Sequence, residues 1–461
     1  MTATHSQRTA PTRTGAVGEL DLLVRQVRDA VSDQLQRRRS DTTPDPRSGH
    51  PVAGGVPGDE AARRALVARL VDDALASHGA AAIASGAQPL AGAARTAVTR
   101  RVLDALLGMG PLQPLMDDRS VENVDINGAG VVCVQYTDGR RDQLPPVFVD
   151  NAELVAWVRE QAAHSGAQEQ RFDTGSPAVN VRLADGSRMF AVMAVSTQPC
   201  ISIRKFPVLR PDLRELVEVH RALSPAMAAL FTALVLTRKN IVVAGGTDTG
   251  KTTFLRALLR AVPGGERIIT VEDTLELGVD EDPQRPNCVA LCARPANIEG
   301  AGAVELPELV RMALRMNPDR VVVGEARGPE VIPMLNAMSQ GNDGSMGTVH
   351  ASSSDQAFAK LATYAAQGPQ PLGFDATAML LGGAVHIVIH LDKAPDGRRV
   401  VSSVREVTGW DGQRVASNEV YRPGPDRRGQ HVVPLRDQTL QQLAAVGFDP
   451  AVLDGNRNGW W

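Results

Sequence analysis

The run 241-IVVAGGTDTGKTTFLRALL-259 constrains this chain more than any other feature. Four apolar residues, Ile241–Ala244, lead into a glycine-rich loop, and a helical pattern, TTFLRALLRAV, leaves it. Gly245, Gly250, Lys251 and Thr252 match G-x-x-x-x-G-K-[S/T]. In that pattern consecutive backbone N–H groups and the positive end of the following helix cradle phosphate. The loop Gly245, Gly246, Thr247, Asp248, Thr249, Gly250, Lys251, Thr252 and Thr253 is therefore read as an ATP site. Lys251 is expected to reach the β- and γ-phosphates, and the Thr252 hydroxyl to ligate Mg²⁺. A chance glycine-rich turn would lack both the strand before the loop and the helix after it.

Two further strands end in acids. The stretch 320-RVVVGEARG-328 ends at Gly324-Glu325, and a carboxylate at the edge of a sheet beside a phosphate loop can polarise an attacking water. The stretch 267-RIITVEDTLEL-277 supplies Glu272, Asp273 and Glu276, oxygen donors suited to Mg²⁺. Thr252, Glu272 and Asp273 are the expected metal set. In 347-GTVHASSS-354, His350 sits at a strand end, where it can donate to a γ-phosphate and register its loss. Alone, such a histidine or strand-end acid would be structural; following a phosphate loop, each reads as part of a site.

The 461 residues suggest two or three domains. Strands alternate with helices after Ser224-Pro225, a helix start, with strands expected at 241–245, 267–271, 320–324, 346–350 and 385–391. The expected fold class is α/β, a phosphate-loop motor domain over 213–422. A smaller α+β domain with a helical start precedes it over 59–212. Residues 1–58 read as a flexible, partly disordered extension (arm 1–18, helix 19–39, linker from 40), and 423–461 as a C-terminal tail with one helix near 437–446, ending in Trp460-Trp461. Net charge is −3, so no positive field favours nucleic acid, and no stable nucleic-acid partner is expected. No window approaches about 18 uninterrupted apolar residues, and MTATHSQRTAPTRTG lacks a signal-peptide core. A cytoplasmic protein, touching the membrane only peripherally, is expected. Four cysteines without two close pairs read as buried free thiols rather than a zinc site.

Taken together, these elements resemble the secretion ATPase superfamily of type II and type IV secretion and type IV pilus machines. Upstream, 108-GMGPLQPLMDDRSVENVDINGAG-130, 171-RFDTGSPAVNVRLADGSR-188 and 202-SIRKF-206 look like its N-terminal signatures. The likeness covers about 105–422 and lies nearest the CpaF-like branch that powers Tad/Flp pilus assembly. It implies a RecA-like motor in a homohexamer, docked on an inner-membrane platform protein at the inner face of the cell membrane. It also implies catalytic roles for the "Walker B" Glu325 and for Glu272 in the "Asp box", and a "His box" in 341–350. By position, Arg182, Arg188 and Arg204 are the arginines that meet the phosphates. The alternatives are a conjugative type IV secretion ATPase and a nucleotide-gated scaffold with little hydrolysis.

Two departures stand out. The family's usual loop reads Gly-Gly-Thr-Gly-Ser-Gly-Lys-Thr-Thr, whereas Asp248 and Thr249 occupy the centre here. Asn342 stands where the first histidine of the His box is expected; it can donate a hydrogen bond but carries no charge. A carboxylate within ~4 Å of phosphate costs about 1 kcal/mol even in water, so Asp248 is expected to face outward or bond neighbouring N–H groups. Slower turnover or weaker ATP binding than in Asp248→Gly is the corollary.

Overall fold

The computed structural model describes residues 14–40, 59–164, 171–205, 211–294, 296, 301–368 and 371–454. It divides into two compact units, Met1–Pro207 and Val208–Trp461.

The first unit opens with α1 (Thr14–Ser40), α2 (Glu60–Ala84) and α3 (Gly92–Leu107). Leu23, Val27 and Val31 recur at helical spacing and bury themselves against Leu66, Val67, Leu70, Val98 and Val102. Asp59 caps α2, its carboxylate accepting from Ala62 N–H at 2.9 Å. The expected disordered arm thus gives way to helix from Thr14; residues 1–13 and the linker 41–58 lie outside the described residues. A 3₁₀ turn and α4 (Gln113–Asp117) lead into β1 (Val121–Asn127), β2 (Val132–Tyr136) and β3 (Arg141–Leu144). After α5 (Asn151–His164) come β4 (Ala178–Arg182), β5 (Arg188–Val192) and β6 (Cys200–Arg204). The antiparallel sheet has the order β3-β2-β1-β6-β5-β4. Alternation puts Val124, Ile126, Val181, Met189, Ile201 and Ile203 on the core face with Leu154 and Trp157 of α5.

The second unit begins with α6 (Leu213–Glu218) and α7 (Pro225–Leu236). Ser224 caps α7 through Met227 N–H, and Pro225 occupies the first turn, where its missing donor costs nothing. The alternating part runs β7 (Ile241–Gly245), α8 (Lys251–Arg260), β8 (Ile268–Glu272), β9 (Cys288–Cys292), α9 (Leu306–Ala313), β10 (Arg320–Ala326) and α10 (Val331–Ser339). It continues through β11 (Met346–His350), α11 (Gln356–Ala365), α12 (Phe374–Ala384) and β12 (Ile387–Lys393). Six parallel strands lie in the order β12-β7-β11-β10-β8-β9. The loop-bearing β7 and the Glu325-bearing β10 are separated by β11 alone. Both faces are covered: Val243 and Ile268 pack with α7 and α8, while Val242 and Val271 pack with α9 and α10. That double burial explains why these strands read as unbroken apolar runs.

Three elements extend the parallel sheet beyond its expected edge. β13 (Arg399–Trp410) returns antiparallel to β12, followed by β14 (Val415–Pro423) and β15 (Gly429–His431). The segment expected to be a tail is packed: α13 (Asp437–Ala444) and α14 (Ala451–Asp454) bury Leu443 and Leu453 against the core that holds α7. Trp460-Trp461 lies outside the described residues. The cysteines are free, but not buried as expected: Cys133, Cys200 and Cys288 are half-buried and Cys292 is exposed.

At the N-terminal edge of the strands, Arg320 is wholly buried and clamps Glu266 through two hydrogen bonds, 2.7 and 3.0 Å long. It also donates to Val235 O at 2.9 Å. Asn342 lies at this same edge, donating to Pro318 O at 2.7 Å. The His-box segment therefore runs the length of β11 and brings His350 alone to the opposite edge. At about 3.3 Å per residue, Asn342 is on the order of 15 Å or more from the phosphate loop. Within this unit Asn342 therefore makes no direct contact with that loop.

Candidate active site

The C-terminal edge of the parallel sheet gathers Gly245, His350, Glu325 and Glu272, because four neighbouring strands end together there. Gly245 is paired with His350 in register. A Cβ on Gly245 would fall 2.8 Å from Leu391 O, so glycine is required where the loop leaves β7. Gly250 adopts φ 87° and turns the chain into α8, aiming the first N–H groups of that helix into the loop. Thr249 closes the loop on itself, donating to Gly246 O at 2.9 Å.

Lys251 is buried, and its Nζ donates to Gly246 O at 2.8 Å and lies 3.3 Å from His350 Nδ1. On the other side of the ring, His350 Nε2 is 2.6 Å from Glu325 Oε1. Burial and the adjacent Lys251 charge hold the His350 pKa below its ordinary 6.5, against the opposing pull of Glu325. A neutral ring fits both contacts: Nδ1 accepts from the ammonium while Nε2–H donates to the carboxylate. The three side chains form one polar chain, Lys251–His350–Glu325, at the mouth of the loop.

The acids after β8 divide their work differently from expectation. Glu272 is buried, and burial raises its pKa despite the donors around it. Its Oε1 accepts from Thr270 Oγ1 at 3.0 Å, and its Oε2 from Glu276 N–H at 2.6 Å and Leu277 N–H at 2.8 Å. Oε2 thus ties down the loop behind it, while Oε1 is held by Thr270 on the same strand. Asp273 Oδ2 pairs with Arg327 at 2.6 Å. The carboxylate that reaches the Thr252 hydroxyl is that of Glu276, at 3.4 Å. Thr252 and Glu276 thus stand together beside the loop, while Glu272 and Asp273 make the contacts above. The signal was present in the acid-rich TVEDTLE run, but strand-end spacing favoured the nearer acids over the one the loop carries back. Two oxygen donors beside a phosphate loop suit Mg²⁺, which keeps several waters and leans on substrate phosphates.

Asp248 faces outward, as expected, but toward cations that no sequence motif announced. Lys393 Nζ donates to Asp248 Oδ2 at 2.7 Å, and Arg399 pairs with Oδ1. Both residues flank the turn between β12 and β13, where only an Asp396-Gly397 dipeptide hints at a hairpin.

In the first unit, Arg182, Arg188 and Arg204 are cross-strand neighbours on β4, β5 and β6. Arg182 and Arg204 are exposed and Arg188 half-buried, all on the sheet face opposite the core. This row belongs to a different unit from the phosphate loop.

Residues 106–393 match the model of a family described as type II/IV secretion system protein. A Mycobacterium tuberculosis protein named "Putative conjugal transfer protein" is 37% identical over 343 residues, 69% of this chain and 93% of that protein. The type IV secretion system protein VirB11 of Brucella suis is 29% identical over 64% of this chain and 87% of its own length. Among solved structures, the VirB11 ATPase of Brucella suis, in complex with sulphate, is 27% identical; the match covers 64% of this chain and 91% of that one, with a TM-score of 0.34. The Legionella pneumophila ATPase DotB is 16% identical over 75% of this chain and 85% of its own, with a TM-score of 0.47.

Proposed function

Because the chain belongs to the type II/IV secretion system protein family, we propose that it is an Mg²⁺-dependent ATPase driving assembly of a pilus or secretion apparatus. The single observation that carries the chemistry is the Lys251–His350–Glu325 chain at the phosphate loop. Backbone N–H groups of the loop and of α8 bind the β-phosphate. Lys251, leaving Gly246 O, pairs with the β- and γ-phosphates. Glu325 takes a proton from water as the water oxygen attacks the γ-phosphorus and the bond to the bridging oxygen of ADP breaks. His350 keeps Lys251 and Glu325 in register, and is freed as Lys251 moves to phosphate, so the occupancy of the loop is felt at the base. Thr252 and Glu276 would hold Mg²⁺, which supplies charge neutralisation for the transferring phosphoryl group. Arg182, Arg188 and Arg204 remain the proposed arginines for the γ-phosphate in a homohexamer.

Among the described residues no helix is long and apolar enough to cross a membrane. We assign the motor to the cytoplasmic face of the inner membrane, docked on a polytopic platform protein of a Tad/Flp-type machine. A conjugative type IV role is the second reading, favoured by the "conjugal transfer" name of the 37% identical relative. Co-purification from native cells tests both. Recovery of a polytopic platform protein supports the assembly motor, recovery of DNA-processing transfer proteins moves the chain to conjugation, and recovery of DNA alone overturns the motor reading.

A further inference from the structure

Asp248 stands at the tip of the phosphate loop with φ 59°, in the left-handed region where a side chain other than that of glycine, asparagine or aspartate is costly. Two contacts from one residue hold it there. Arg399 pairs with Oδ1 of the carboxylate, and its Nε donates to the Asp248 main-chain oxygen at 3.1 Å. Its Cδ also lies so close to Gly250 that an added Cβ there would fall 3.2 Å away. Lys393 takes the other carboxylate oxygen at 2.7 Å. The hairpin that presents both cations is itself tied down. Arg427 Nη1 donates to Asp392 Oδ2 and Arg428 Nη2 to Asp396 Oδ2, each at 2.7 Å, from the turn between β14 and β15. The family match ends at residue 393, so Arg399, Arg427 and Arg428 all lie beyond it.

We propose that Lys393 and Arg399 are positioning residues for the phosphate loop, acting through Asp248. Two cations on one carboxylate leave the cluster net positive, so the acid no longer repels an incoming phosphate. The same contacts fix a loop tip that would otherwise be free to leave the left-handed region, and so present its N–H groups to the nucleotide in advance. Asp248 and the β12–β13 hairpin then function as a pair: the acid is tolerable because the cations are there, and the cations matter because the acid is there. This inference rests on the nucleotide-hydrolysing reading of the site.

A double-mutant cycle on the full chain tests it, using wild type, Arg399→Ala, Asp248→Gly and the double variant. Each is titrated with a fluorescent ADP analogue and assayed for kcat and KM, with melting temperatures as folding controls. Coupling through Asp248 predicts that Arg399→Ala weakens nucleotide binding about fivefold when Asp248 is present and less than about twofold in the Asp248→Gly background. The loss is expected in KM rather than kcat, and Arg399→Lys restores part of it. Equal losses in both backgrounds, or none in either, overturn the proposal. Should Arg399→Ala fail to fold, Arg399→Gln and Lys393→Gln complete the cycle under the same criteria. A folded wild type that binds no nucleotide overturns the functional reading and this inference with it; binding with additive losses overturns this inference alone.

Discussion

His350 sits between an ammonium and a carboxylate, and its own charge decides whether that arrangement survives. Burial first, and Lys251 second, hold its pKa below 6.5, while Glu325 pulls the other way and Lys360 adds a smaller repulsion. A depressed folded value means the fold favours the neutral ring. The stability it supports is present above the unfolded value near 6.5 and is lost as pH falls through the folded one. A protonated ring would also repel Lys251 at the moment Lys251 must stay beside the loop. The rate of ATP hydrolysis should therefore hold steady to below pH 6.5 and then fall. His350→Asn, which keeps a hydrogen-bonding side chain but cannot titrate, should lower the plateau about tenfold and remove that acid limb. An unchanged acid limb in the variant would show that another group sets it. The motif residues were legible because their roles follow from one strand, one loop and one helix. Lys393 and Arg399 were not, because each arrives from a segment whose path no local pattern fixes, and Glu276, read as one of the acid cluster, could not be singled out within it. The brace on Asp248 likewise moves the cost of that residue from the loop to the hairpin.

The loop following β8 shows how one buried acid can shape an element. Glu272 accepts two N–H groups from the returning chain, and so places Glu276 at Thr252. Gly324 on the neighbouring strand leaves room for it: a Cβ there would fall 2.9 Å from Glu272 Cγ. Glu272→Gln keeps an acceptor for the same N–H groups, whereas Glu272→Ala removes it and leaves buried donors unsatisfied, at about 1–3 kcal/mol. Glu272→Gln should thus retain at least about half of wild-type kcat, and Glu272→Ala should lose about tenfold or more with a lowered melting temperature. Equal and severe losses in both would return Glu272 to the catalytic role first expected of it. The strands of the parallel sheet were readable because burial on both faces demands unbroken apolar runs. The edge strands β9 and β15 and the inner β13 and β14 were not picked out; partial exposure blurs β9, β14 and β15, whereas β13 is largely buried and follows a turn no pattern had placed.

Across the full chain, the sequence divided readily into a mainly helical start, an antiparallel sheet and a parallel sheet. Periodicity changes from 3.6 to 2 and then to continuous burial from one end to the other. The last forty or so residues were only half legible: scattered Gly, Pro and Arg look like a tail, and the one helix expected near 437–446 is α13. Its docking was not read, for Leu435, Leu443, Phe448 and Leu453 are buried in the motor core at spacings too irregular to announce that burial. The packed C-terminal segment also supplies Arg427 and Arg428 to the hairpin beside the loop, which makes it part of the motor unit.

Within that motor unit, Glu325, held by His350 beside Lys251, is the group proposed to activate water against bound ATP. Phosphate release from the purified full chain with Mg²⁺ and ATP, measured beside ATP affinity for wild type and Glu325→Gln, tests this role without intermediaries. The expected result is turnover by the wild type, a fall in kcat of about 100-fold or more in Glu325→Gln, and an ATP Kd within about threefold of wild type. Wild-type turnover by Glu325→Gln, or a wild type that binds ATP and releases no phosphate, would contradict it.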